Sequence, residues 1–290
     1  MTDHIRSRSL PTSRVLASSP RTMLGLGVFL LMALTAMTGS WLAPHDPLEQ
    51  DLLNSFLPPF WVAGADPAFL LGTDNLGRDV LSRLIYGTRV ALMVAVIAAT
   101  LTGMLGTTVG LLAGFFGGWV DTLVSRMVDI WMAFPAVLLS IVLVAVIGAG
   151  LHAVIIAIIV IDWTRFCRVV RAETMVQCQQ DYVASAVTIG LSRRRRLFVE
   201  ILPNILPLLI SLLTLEMGIA VVVEAILSYV GLSVASDAAT WGGLIQEGRL
   251  YVNQAPWLMV FPIACIIVAV LGFNALGDGL RSAFDPVLRR

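Results

Sequence analysis

Long apolar runs separated by short polar stretches organise this chain. About 20 apolar residues are needed to cross ~30 Å of hydrocarbon, and runs of that scale occupy residues 23–42, 90–112, 128–147, 205–227 and 258–276. A further run, residues 151–161, continues toward 170 but admits Asp162 and Arg165. A full span and a re-entrant segment both fit it. The pattern predicts an all-α membrane protein with six transmembrane helices.

The polar stretches carry their own signals. Residues 43–89 are rich in proline and mixed charge, which excludes them from the bilayer. Within them Val80, Leu81, Leu84 and Ile85 recur at helical spacing, predicting a short amphipathic helix at the interface before the second span. Arg78, Arg83 and Arg89 have Asp66, Asp74 and Asp79 nearby for pairing. "GFFGGWVD", residues 114–121, reads as a tight turn. Residues 231–256 are again too polar to span. The chain thus divides into a tail (1–21), a first transmembrane helix (22–43), an external segment with the amphipathic helix (44–89), a core of five transmembrane helices (90–280) enclosing a polar loop (171–203), and a second tail (281–290).

Composition agrees with the pattern: 58% of residues are hydrophobic, only 13% are charged, and the mean hydropathy is +0.88. A net charge of +0 implies no overall attraction to nucleic acid. The distribution of charge says more. Every basic residue is arginine, clustered at Arg6, Arg8, Arg14 and Arg21, at Arg165, Arg168, Arg171 and Arg193 to Arg196, and at Arg281, Arg289 and Arg290. Positive-inside bias places both termini and the central segment in the cytoplasm, which an even number of spans satisfies. The apolar run after the N-terminal tail is longer than a signal-peptide core, favouring an uncleaved first span. Cys167, Cys178 and Cys265 have neither disulfide nor metal-ligand spacing.

The segment "DYVASAVTIGLSRRRRLFVEILPN", residues 181–204, interrupts this oily chain. Tyr182, Val183, Ala186 and Ile189 recur at helical spacing, Gly190 suits a helix stop, and Ser192 suits the cap of a second helix. Pro203 is placed to start the next span. Small residues at Ala184, Ser185 and Ala186 admit a partner's backbone, while Arg193, Arg194, Arg195 and Arg196 supply donors for carboxylates or lipid phosphates. The segment is either a docking element or a simple positive-inside anchor.

Ionisable residues within spans are costly and tend to face a cavity or partner. Glu216 and Glu224 lie within about 80° of each other on a helical wheel and are candidates for a translocation path. Glu224 is equally suited to hydrogen bonding inside its own stretch, "EAILSYVGLS". Asp162 has Arg165 and Arg168 for partners. Asp278, Arg281 and Asp285 suit a lock between the last helix and the tail. Trp131, Met132 and Phe134 suit packing or an interface anchor.

No G-x-x-x-x-G-K-[ST] loop is present, and there is no lysine to complete one, so this chain cannot bind ATP by that route. His4, His45 and His152 form no recognisable catalytic set with the cysteines, which weighs against an intramembrane enzyme. An ion-driven carrier using Glu216 and Asp162 as proton relays would have to transport unaided.

"DYVASAVTIG" followed by "ILPN" resembles the coupling signature of ABC importer permeases. "LGTDNLGRDVLSRLIYGTR" (71–89), "GFFGGWVDTLVSRMVDIWMAFP" (114–135), "EAILSYVGLS" (224–233), "WGGLIQEGR" (241–249) and "FNALGDGLRSAFDP" (273–286) resemble, in order and spacing, the second permease subunit of dipeptide, oligopeptide and nickel importers. The resemblance covers nearly the whole chain after the N-terminal tail. It implies a type I importer permease fold in a bacterial inner membrane, with a coupling helix from about Tyr182 to Gly190. It also implies the partners: a second permease, two ATPases that bind ATP and Mg, and an external solute-binding protein. No cofactor or metal is implied in this chain. The implied cargo is a peptide, with nickel or another small solute as the alternative. Ala184 and Ser185 stand where the family signature has glutamate and alanine, and Glu200 stands where a basic residue is common.

Overall fold

The computed structural model describes residues 20–233 and 238–284. Most of the N-terminal tail, Asp285, Arg289 and Arg290 lie outside these residues. Among the described residues the fold is helical throughout, with an isolated bridge between Thr73 and Asp79 as its only β feature.

Helix α1, Pro20–Leu42, is the first span. A polar loop follows, built on a 3₁₀ turn, Leu52–Asn54, whose cap Asp51 accepts from Leu53 N–H. The Thr73 hydroxyl stitches the loop together: it donates to Asn54 C=O at 2.5 Å and accepts from Leu57 N–H at 2.8 Å.

Helix α2, Val80–Phe116, starts where Asp79 accepts from Ser82 N–H. The expected separate interfacial helix does not exist. Nothing between Tyr86 and Val90 breaks the helix, so those turns are the buried beginning of one helix about 55 Å long, with Val80, Leu84 and Ile85 covered.

The expected third span is broken. Helices α3, Gly118–Met132, and α4, Ala136–Ile147, meet at 86°. Pro135 disfavours helical geometry at Phe134 and supplies no N–H, which ends α3 there. The turn before α3 is tighter than the sequence implies, made by Gly117 and Gly118 at positive φ.

Helix α5, Leu151–Cys178, runs unbroken through Asp162 and Arg165. At about 42 Å it is long enough to span. Its charges are met by neighbours: Arg171 by Asp121 of α3, and Arg168 by Asp129 at 3.6 Å. Its position is set by a row of glycines on α2. A Cβ at Gly106 would lie 2.5 Å from the Trp163 carbonyl, and one at Gly110 or Gly114 would lie 2.7 Å from the carbonyls of Cys167 and Arg171. The two backbones therefore pack in direct contact, the device by which spans associate without a hydrophobic driving force.

Helix α6, Asp181–Thr188, is short and precedes the Gly190 turn. From Arg193 the chain is helical to Tyr229, and this whole stretch is α7. Its regular α-helical part begins at Leu202, with Pro203 in the first turn as expected. A π-helical segment, Arg196–Ile201, comes first and ends where Leu202 N–H bonds to the Leu197 carbonyl. Wide turns of this kind accommodate the missing donors of Pro203 and Pro207 just downstream. Helix α8, Trp241–Leu250, caps one end of the bundle, and α9, Trp257–Phe284, closes it against α1 and α7.

Four helices, α1, α2, α7 and α9, are long and apolar enough to cross a membrane, and the bent pair α3–α4 makes a fifth if it is one span. The six-span expectation thus changes in two places: its third span is a bent pair and its fourth a helix too polar to qualify by composition.

Candidate functional site

Three charged constellations stand out, one at each end of the bundle and one between. At the α6 end, Val183 and Ala186 are buried with Leu197, Ile201 and Ile205. The Tyr182 hydroxyl donates to Gln177 Oε1 at 2.7 Å, and burial pushes its phenol above the usual range. Ala184 and Ser185 face outward. So does Ile189, 74% exposed, although the helical spacing grouped it with the buried residues; it sits on the C-terminal cap, where the helix no longer sets its direction. Gly190 has φ +78°, which a side chain would resist, and Ser192 accepts from Arg195 N–H as a cap. Arg193, Arg194 and Arg195 are exposed, whereas Arg196 lies back over the Phe115 ring at 5.7 Å. The α6 end thus presents a small exposed helical face beside a basic turn, with Val183 and Ala186 anchored in the core.

Within the spans, Arg165 bridges two helices. It donates to Asp162 Oδ1 on α5 and to Glu216 Oε2 on α7, each at 3.2 Å. Glu216 is 1% exposed and its Oε1 has no partner, while the Arg165 side chain is 38% exposed. Asp162 and Arg165 line a cavity of about 300 Å³ between α4, α5, α7 and α9, otherwise walled by residues such as Ile219, Val222 and Asn274. A second cavity, about 420 Å³, shares Leu215 and Asn274 with it and leads to Asp278 and Arg281. Glu224 is separate from this groove. It is 1% exposed and accepts from Ser228 at 2.5 Å and Ser233 at 3.1 Å, the second of the two arrangements the sequence allows.

At the opposite end, Asp74 accepts from Arg78 Nε at 2.7 Å and Arg83 Nη1 at 2.5 Å. Glu247 of α8 receives both arginines as well, at 2.8 and 2.6 Å. Trp241 adds a bond from Nε1 to the Leu84 carbonyl. Asp79 and Asp66 serve as caps instead: Asp79 for Ser82, Asp66 for Ala68 N–H. The sequence located Asp74 near its arginines, but Glu247, far along the chain, could be found only from the fold.

A bundle of apolar spans, with a short helix and a basic turn at one end and a largely apolar groove carrying Asp162 and Arg165, defines the class: a multi-pass membrane protein. The chain belongs to the family of binding-protein-dependent transport system inner membrane components, whose model matches residues 106–290. Residues 12–59 match the N-terminal transmembrane domain of oligopeptide transport permease C. It is a permease subunit and not itself an enzyme. The chain is 38% identical over 268 residues to the dipeptide transport system permease protein of Haemophilus influenzae, covering 92% of this chain and 91% of that one. It is 40% identical to the dipeptide transport system permease protein of Escherichia coli K12 (92% and 89%) and 36% identical to the oligopeptide transport system permease protein of Bacillus subtilis (94% and 88%). Among solved structures it resembles the MetNI methionine ABC transporter in an inward-facing form, with TM-score 0.60 and 20% identity over 70% of this chain and 96% of that one, a likeness of fold.

Proposed function

We propose that this chain is one of two permease subunits of an ATP-driven importer of short peptides, delivered by an external solute-binding protein. The observation that carries the cargo assignment is the identity of 38–40%, over more than nine-tenths of the chain, to dipeptide permeases. ATP and Mg would be bound by two partner ATPases. The arginine-rich end, with both termini, would face the cytoplasm of a bacterial cell, in keeping with positive-inside bias. Residues 44–89 and 231–256 would meet the solute-binding protein outside.

Force would enter at α6 and the following turn. Tyr182, Val183 and Ala186 root the helix in the core, Ala184 and Ser185 offer the contact face, Gly190 reverses the chain, and Arg193 to Arg196 add charge. Because α6 shares its buried cluster with the start of α7, a push on α6 moves α7 as a body. Helix α7 carries Glu216, which with Arg165 and Asp162 would mark this chain's half of the path. An arginine 38% exposed at span depth is too costly against lipid, which supports a wet or protein-covered face there.

The test is uptake of a labelled dipeptide, and separately of nickel, into proteoliposomes with and without each partner and ATP. Dipeptide uptake that needs every component is the expected result. Nickel uptake instead, or uptake by this chain alone under an ion gradient, overturns the proposal.

A further inference from the structure

We propose that the cavity beside Ala184 is a socket for an acidic side chain of the partner ATPase, reversing the usual sense in which only the permease helix inserts. The inference rests on the functional reading above and names a contact within it. The cavity, about 320 Å³, lies between the end of α2, helix α6 and the basic turn, and is lined among others by Phe116, Val183, Ala184, Val187, Arg193 and Arg196. Two of those residues are arginines, and neither has an acidic partner among the described residues. Arg196 is held in place from behind: its Nε is buried in the fold and its guanidinium carbon lies 5.7 Å from the centre of the Phe115 ring, so the group is fixed at the cavity wall. A carboxylate entering the cavity would meet two guanidinium groups that have no acidic partner among the described residues. The planar guanidinium is suited to carboxylate in just this geometry.

The alternative source of an anion is a lipid headgroup, and depth argues against it. Arg196 lies about 50 Å along α7 from Tyr229 at the other end, whereas a bilayer with its headgroups is about 40–45 Å thick. A helix longer than the bilayer leaves part of its length in water, and exposed Val187 and Ile189 beside the cavity offer apolar surface that a docked protein, not a headgroup, would cover. A glutamate at position 184 would fill the cavity from within. This chain has alanine, which leaves the space open and the arginines unneutralised.

That geometry dictates the experiment. Binding of the ATPase subunits to the reconstituted permease pair is measured in nanodiscs of neutral lipid, and again with anionic lipid added. The double substitution Arg193→Ala and Arg196→Ala should weaken association by about tenfold or more. Ala184→Glu, at an exposed position that α6 tolerates, should weaken it comparably by pairing the arginines in place. Unchanged binding in both variants overturns the proposal, as does tighter binding with Ala184→Glu. An arginine effect confined to anionic nanodiscs would assign the cavity to lipid phosphate and overturn it too. If the double variant fails to assemble, Ala184→Glu alone decides. A wild-type pair that binds no ATPase refutes the functional reading itself.

Discussion

Arg165 occupies the most consequential position in the spans. Two carboxyl groups flank it and a third neighbour of either sign is absent from the cavity wall, so its removal leaves Asp162 and Glu216 facing each other in an apolar surround. Arg165→Ala is expected to abolish uptake and to cost roughly 2–3 kcal/mol, toward the low end for a broken buried pair because the guanidinium is partly exposed. Thermal unfolding of the detergent-solubilised permease pair measures the stability, and dipeptide uptake the function. A rate within twofold of wild type would remove the triad from the path. At the far end, Arg83→Ala strips Asp74 and Glu247 of a shared partner; a loss of about 3 kcal/mol is expected. In a double-mutant cycle with Glu247→Ala the two losses should fall well short of adding.

These residues also show how far single positions can be read from sequence. Asp162 with Arg165, and Asp74 with Arg78, are three or four residues apart, and helical or turn geometry brings such neighbours together. Glu216 and Glu247 answer the same arginines from 51 and 169 residues away. Only helix packing decides such pairs. Ile189 failed in the other direction: its spacing fitted the buried face, but the helix had already ended.

The elements were legible where composition alone sets them. Ser192 and Gly190 mark ends by local hydrogen bonding or φ, and each does so in the structure, whereas Asp79, expected to pair with an arginine, caps α2. Where two signals competed, the stronger physical term won. Pro135 outweighed the apolar run around it and broke the third span, while the turns before Val90 had no breaker and simply joined α2. Pro203 does stand in the first turn of the regular α-helix, but a π-helical segment carries the helical path further back to Arg193. The glycine row of α2 was invisible as an interface because spacing does not name its partner. Gly110→Leu should push α2 off α5, since even a Cβ there meets the Cys167 carbonyl at 2.7 Å. We expect a loss of at least about 1–3 kcal/mol from overpacking, seen as a lower melting temperature and a dissociating permease pair. Gly27→Ala, on open surface, is the matched control and should change neither.

At the scale of the whole molecule, a stiff cap and a mobile end follow from where the ties lie. The Asp74–Arg78–Arg83–Glu247 network and Trp241 bind loop, α2 and α8 into one block. Among the described residues the α6 end is tied by separate pairs, Arg171–Asp121 and Arg168–Asp129, and Arg193, Arg194 and Arg195 face outward. Alternating access should therefore show as motion at the α6 end with the cap held rigid. Hydrogen exchange on the assembled complex, with and without ATP, is expected to change protection in residues 181–202 and leave residues 73–85 unchanged; the reverse pattern would place the moving body at the other end.

The sequence by itself determined that this is an apolar multi-span helical protein, that 181–204 is a capped basic excursion, and what family it resembles. Those properties depend on local terms, namely hydrophobic run length, caps, prolines and charge clusters. Only the tertiary structure decided that Arg165 serves two helices, that Glu224 is sealed by serines, that Glu247 locks the cap, and that Ala184 opens onto a cavity with unneutralised arginines. Each of those depends on which helix faces which, and in a membrane that is settled by close backbone contacts between small residues, whose partners no single stretch of chain can specify.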